Sequence, residues 1–273
     1  MRQRTITALV MAAVCLPILV FGDHYYIFAV FCGLLSIGAT IEIMMVARQK
    51  THLSAILMVA YPLVTAMIYV LSYLSFGRVI EGTMIAVYFG LAVLLLMTIN
   101  LWLPKGLIKP KVYLLMTSLY VGVTFAALAS IREIGLIPII YMLLTAMFTD
   151  TFAYFIGVKY GKHRLAEKIS PKKTIEGAIA GLVIGSALGS VFAIFFKLFS
   201  MHWALVVLLT LSLSVFSQIG DLVESKIKRD YDIKDFSNLL PGHGGILDRV
   251  DSWVFTSLGL VVIVEIFDIV FLV

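Results

Sequence analysis

The chain has 273 residues, of which 61% are hydrophobic and only 14% charged, with a mean hydropathy of +1.04. A soluble domain carries nearer a quarter charged residues, so the composition excludes a soluble globular protein and defines an integral membrane protein. The net charge of +5 then reads as positive loops on one membrane face, with no nucleic-acid partner.

Hydrocarbon about 30 Å thick is crossed by about 20 apolar residues at 1.5 Å per residue. The apolar runs predict nine helical spans, over 5–21, 25–46, 53–75, 82–103, 112–131, 135–158, 175–199, 202–223 and 250–272. The runs are continuously apolar rather than alternating, which excludes a strand barrel and leaves an all-α polytopic fold. The first run, MRQRTITALVMAAVCLPILVFG, resembles a signal peptide. Val14 precedes Cys15 where a lipoprotein signal needs a small residue, and further spans follow at once, so it reads as an uncleaved first span. Cys15 and Cys32 offer neither a disulfide framework nor a metal spacing, which leaves packing as their role.

An N-in, C-out arrangement puts 18 of the 21 Lys and Arg on the inner face and leaves Arg78, Arg132 and Lys197 outside. One span more or fewer would scramble that pattern. The chain divides into an N-terminal region of five helices, 1–134, and a catalytic region of four helices with two cytoplasmic loops, 135–273. In the first region Glu42 reads as an acid reaching for the cytoplasmic interface. Pro62 and Pro138 are expected to kink their helices. No internal repeat is visible.

Polar residues gather in the last four spans. The sixth carries Thr145, Thr149, Asp150, Thr151 and Tyr154. The seventh has Gly177, Gly181, Gly185 and Gly189 at every fourth position, a face for close helix approach in lipid. The eighth presents Ser214, Gln218, Asp221, Ser225 and Lys228 at steps of four and three, on one helix face. The ninth opens with Asp248, Asp251 and Ser252. A single intramembrane acid is often structural, but three helices bringing acids to one cytoplasmic end point to a metal site.

Two inner loops complete the pattern. The loop 159–173 has six cations in fifteen residues, more than orientation requires, and leads into SPKKTIEG, Ser170 to Gly177. There Lys172 and Lys173 are expected at the start of span seven, where unpaired helix N–H groups favour anions. In Ser225 to Asp251, five Lys or Arg alternate with aspartates. Ammonium and guanidinium groups suit phosphate, and carboxylates suit a hard divalent ion. Gly242, Gly244 and Gly245 flank His243 and are expected to let backbone approach a ligand.

This stretch resembles the signature of the phosphatidate cytidylyltransferases, or CDP-diacylglycerol synthases. The matching residues are Ser225, Lys228 with Arg229, Lys234 with Asp235, His243 to Gly245, and Asp248 to Asp251. Gly220 and Asp221, the SPKKTIEG loop and FTDTFAY of span six are also similar to family features. The resemblance covers residues 145–251; the N-terminal half is similar only in hydropathy. It implies that CTP and phosphatidic acid give CDP-diacylglycerol and pyrophosphate in the cell (inner) membrane. It also implies a cytoplasmic site, Mg²⁺ with K⁺ as a second ion, and a homodimer bathed in membrane lipid.

On that reading Asp221 and Asp248 are the first candidates for Mg²⁺, with Asp150 and Asp251 second. Lys172, Lys173, Lys226, Lys228, Arg229 and Arg249 are candidates for triphosphate and lipid head group. Ser170, Ser225, Lys234, Asp235, Gly244 and Gly245 join the substrate-binding set. His243 either donates to a phosphate oxygen or caps its own loop. Two alternatives stand beside this: a related transferase acting on a prenol or archaeal lipid, and an organic-anion transporter. Transporters place their sites at the midplane between broken helices, whereas the polar residues here lie at cytoplasmic ends.

Overall fold

The computed structural model describes residues 2–22, 26–50, 53–76 and 83–272, without the side chains of residues 2–4 and 83–86. Arg78 and the side chains of Arg2 and Arg4, which enter the orientation argument, lie outside the described residues. So do the expected starts of spans two and four, at Tyr25 and Gly82.

Each expected span holds a helix among the described residues, although the fourth, seventh and ninth lose their last three, four and six residues to turns and irregular backbone. The order is α1 (Arg2–Phe21), α2 (Ile27–Lys50), α3 (Ala55–Phe76), α4 (Thr83–Asn100), α5 (Pro110–Ile134), α6 (Leu136–Tyr160), β1 (Arg164–Ala166), β2 (Ser170–Thr174), α7 (Ile175–Phe195), α8 (Trp203–Asp230) and α9 (Leu247–Ile266). Six of these helices, α2, α3, α5, α6, α7 and α8, are long and apolar enough to cross a bilayer. The molecule is therefore an α-helical integral membrane protein.

Helix α5 is the hub, packed by α2, α3, α6 and α9 and buried along most of its length. Small residues on it let its neighbours close in; a Cβ at Gly122 would stand 2.9 Å from Ile68 Cγ2. The glycine face of α7 lies on α6, and the two helices are in contact along most of their length. A Cβ at Gly181 would stand 2.5 Å from the Thr149 carbonyl oxygen, and one at Gly185 2.8 Å from Thr149 Cα. Hydroxyls then join α6 to α8: Thr149 Oγ1 bonds Ser214 Oγ at 2.8 Å, and Tyr141 Oη bonds Thr210 Oγ1 at 2.8 Å. In lipid such bonds replace the hydrophobic drive that holds helices together in water.

Two details differ from expectation, at Pro138 and at Cys15. Pro138 is the third residue of α6, where its missing N–H has no intrahelical partner to lose, so it starts the helix rather than bending it. Pro62 does lie inside α3, which continues through it. Cys32 is buried, as packing requires, but Cys15 is exposed on α1.

Helix ends are tied together at both ends of the bundle. At one, Lys50 and Lys105 both grip Asp232, and their hydrogen bonds hold that exposed carboxyl down at about 2. Thr7 Oγ1 donates to the Pro241 carbonyl at 3.0 Å at this same end. At the other end, Arg132 donates to the Leu19 and Val20 carbonyls at 2.7 and 3.0 Å, closing the end of α1 onto α5.

Candidate active site

The charged stretch Ser225 to Asp251 is largely not a loop. Its first residues are the last turns of α8, and its last five open α9, leaving 231–246 to connect them. At 1.5 Å per residue the 28 residues of α8 reach about 42 Å, beyond the hydrocarbon thickness, so its final turns stand clear of lipid. Glu224–Lys228 and Lys226–Asp230, both spaced i,i+4, hold the helix together there.

The loop 159–173 also has structure. Strands β1 and β2 form an antiparallel hairpin pairing Arg164 with Thr174 and Ala166 with Ser170. Lys172 and Lys173 thus sit on a strand just before α7 rather than in its first turn. The helix begins at a cap made by Thr174, whose hydroxyl accepts the Gly177 N–H at 3.2 Å. Glu176 pins the start of the hairpin by accepting from the Lys162 N–H at 3.0 Å and contacting His163 Nδ1 at 2.6 Å.

A cavity of about 460 Å³ opens between α6, the hairpin and α8. Its polar lining is Asp150, Tyr154, Arg164, Lys172, Lys173, Thr174, Gln218 and Asp221, and Ala153, Val158 and Leu165 supply apolar wall. Lys173 Nζ stands 2.6 Å from Asp221 Oδ2. Asp150 accepts from Ser217 Oγ at 3.4 Å, and Asp221 from Ser225 Oγ at 3.4 Å. Arg164 is an addition to the expected set; only the hairpin's fold, unread in the sequence, turns it toward the cavity.

A second cluster lies beside the first. Lys228 Nζ bridges Glu224 Oε2 at 2.9 Å and Asp248 Oδ1 at 3.0 Å. Asp248 Oδ2 meanwhile accepts the Phe236 and Gly245 N–H groups at 2.9 and 2.8 Å. Asp248 is therefore committed to Lys228 and to the loop, away from the cavity. Glu224 is fully buried and its Oε1 has no hydrogen-bond partner. Asp251 packs against α8 next to Asp221: a Cβ at Gly220 would stand 3.0 Å from the Asp251 carbonyl oxygen.

Other expected residues fall elsewhere. Lys226 pairs with Asp230, which also accepts from Tyr113 Oη at 2.8 Å, so it faces α5 and not Asp221. The cause is helical: five residues from Asp221 turn it well away, whereas the seven that separate Lys228 restore the face. Arg229 donates to the Ile169 carbonyl at 3.2 Å and the Ile233 carbonyl at 2.7 Å, clamping hairpin to loop. Lys234, Asp235 and Arg249 are exposed, and Ser170 is partly buried in β2. His243 Nδ1 is buried without a partner in a tight turn closed by Gly244 N–H to the Leu240 carbonyl, 3.1 Å.

The glycines answer to the protein itself. Gly242 and Gly244 have φ of 76° and 88°, conformations that favour glycine. At Gly245 a Cβ would stand 2.5 Å from Glu42 Oε2. Glu42 does not reach into solvent: it is 5% exposed and bonded to this loop from α2.

Among the described residues, no three of His, Cys, Asp and Glu form a ready metal group. Mg²⁺ itself commonly takes one or two carboxylates and completes its shell with water and phosphate oxygens. Asp150 and Asp221, which both line the cavity, are hard-oxygen groups of the number that such an ion takes.

The fold and this cavity define a polytopic membrane protein with phosphate-seeking cations and carboxylates at one end. A family model described as the cytidylyltransferase family matches residues 2–267. The chain is similar to the phosphatidate cytidylyltransferase of Staphylococcus haemolyticus, 35% identical over 93% of this chain and 95% of that one. The Bacillus subtilis protein of the same name is 39% identical over 60% of this chain and 62% of its own. That of Staphylococcus aureus is 35% identical over 93% and 95%. The chain belongs to the cytidylyltransferase family.

Proposed function

We propose that the chain transfers the cytidylyl group of CTP to phosphatidic acid, giving CDP-diacylglycerol and pyrophosphate. The observation that carries this is the cavity in which Arg164, Lys172 and Lys173 adjoin Asp150 and Asp221, in a chain whose relatives bear this activity in their names. Those names do not favour the prenol or archaeal-lipid alternative or the transporter.

The second pKa of a phosphate monoester is about 6, so the attacking oxygen of phosphatidate is largely ionised at neutral pH. It bonds to the α-phosphorus of CTP as the bond to the bridging oxygen of the β-phosphate breaks. Pyrophosphate departs with that electron pair, and no general base is required. The barrier is electrostatic: two polyanions must meet and charge must build on the leaving group. Lys172, Lys173 and Arg164 offset that charge, and the pair Lys173–Asp221 keeps the lysine aimed into the cavity. We assign Mg²⁺ to Asp221 with Asp150 and Asp251, where a bound ion supplies Lewis-acid stabilisation of phosphate oxygens. Asp248 we assign to holding Lys228 and the loop. K⁺ as a second ion and the homodimer belong to this proposal through the resemblance alone.

We place the protein across the cell membrane nine times, N-terminus inside, with the cavity open to the cytoplasm. Residues 135–273 carry the chemistry in this reading, and residues 1–134 scaffold it. The deciding assay offers labelled CTP to the purified protein with phosphatidic acid, a prenyl phosphate or no lipid. A labelled lipid only with phosphatidic acid is expected; a product only with prenyl phosphate would replace the substrate.

A further inference from the structure

Glu42 lies on α2 and touches no residue of the cavity, yet its carboxylate is spent wholly on the connection that leads into α9. Oε1 accepts from Ser237 Oγ at 2.6 Å and from the Ile246 N–H at 3.0 Å. Oε2 accepts from the same N–H at 2.9 Å and from the Leu247 N–H at 3.4 Å. The first N–H groups of a helix lack intrahelical partners, and a negative group there is favoured by the helix dipole. Helix α9 has no side-chain cap of its own at Ile246. Glu42 supplies that cap from another helix, 204 residues away.

The first turn of α9 carries Asp248 and Arg249, and Asp251 opens the second. Two carboxylates brace the segment that feeds it, in alternation along the chain. Asp248 takes the Phe236 and Gly245 N–H groups, and Glu42 takes Ser237 with Ile246 and Leu247. Gly245 lies against both, since any side chain there would strike Glu42. We infer that Glu42 is a positioning residue for the transfer reaction, fixing the α9 N-terminus so that Asp251 packs against α8 beside Asp221. The inference rests on the proposed cytidylyl transfer and adds a residue from the N-terminal region to it. Charge-assisted hydrogen bonds are about twice as strong as neutral ones, so glutamine at this position is a weak substitute even though it keeps size and one acceptor.

The test compares wild type with Glu42→Gln as purified full-length protein in phosphatidate-containing micelles. Backbone hydrogen exchange should quicken in the peptide holding Ile246 and Leu247. The kcat should fall roughly tenfold or more, while the KM for CTP stays within about threefold, because Lys172 and Lys173 are held by the hairpin independently of Glu42. The Mg²⁺ concentration for half-maximal rate should rise, a shift that a purely structural role would not produce. Should Glu42→Gln fail to fold, Ser237→Ala removes one bond, leaves the carboxylate on α9, and is expected to show the same pattern more weakly. Unchanged kcat and Mg²⁺ dependence in a folded variant overturns the inference. A wild type that makes no CTP-dependent lipid would instead sink the transfer reading, and unaltered exchange at Ile246 and Leu247 would then overturn the brace by itself.

Discussion

Lys173 and Lys228 bring the same charge to the same end of the molecule, and their surroundings divide them. Lys173 has one partner, Asp221, and both side chains are about a quarter exposed, so it is free to turn to a phosphate. Lys228 lies between two carboxylates that pair with no other cation among the described residues. Lys173→Gln should therefore lose one charge-assisted contact, about 1.5–3 kcal/mol, and lower kcat/KM for CTP roughly 10- to 150-fold with normal yield of folded protein. Lys228→Gln should lose the fold first, since breaking a buried pair costs about 3–5 kcal/mol. Thermal unfolding beside CTP kinetics separates the two, and normal kinetics in Lys173→Gln would return the hairpin to a topology signal. Asp221, Lys173 and Asp150 were legible because helical spacing and composition mark them. Glu224 is legible by the same spacing, three residues after Asp221 and four before Lys228 on that helix face. Glu42 was not legible, because its partners are some two hundred residues away and a single sequence carries no pairing information.

At the scale of elements, apolar runs located every helix, since burial in lipid leaves the chain few choices. What they missed are structures formed outside lipid. The hairpin is only a few residues long and hides in a run of cations, and α8 outlasts its apolar stretch because ion pairs sustain it in water. The glycine face of α7 was read as a packing device, and its contact with α6 fixes the distance between Asp150 and the lysines of β2. Gly185→Val should overpack that contact at Thr149, destabilising the protein by about 1–3 kcal/mol and lowering activity with it. Val183→Ala, on the exposed face of the same helix, should change neither. A Gly185→Val protein with wild-type unfolding temperature would mean that the helices sit farther apart than described here.

For the whole molecule, the ties between helix ends bear on how the chain is threaded through the bilayer. The end that holds Thr7, Lys50, Lys105, the hairpin and the 231–246 connection is joined by Thr7 to Pro241, by both lysines to Asp232, and by Arg229 to Ile169. The opposite end joins Leu19 and Val20 to Arg132, Tyr73 to Glu133, and Leu198 to Leu272. Successive helices run from one set to the other, which is the alternation that nine crossings require. Of the described cations, Arg132 and Lys197 alone belong to the second set, a bias that supports the proposed placing of the first set in the cytoplasm. The prediction is made in a background with Cys15→Ser and Cys32→Ser, because Cys15 is exposed and would react by itself. Single cysteines at Glu167 and Asn238, both exposed, should be labelled only by reagents admitted to the cytoplasm. A single cysteine at His202, exposed at the start of α8, should be labelled by an impermeant reagent added outside. If His202 and Glu167 were labelled from the same side, α7 would not cross the membrane and the ninefold threading would be wrong. If the two sides were merely exchanged, the crossings would stand and the cavity would open away from the cytosolic pool of CTP.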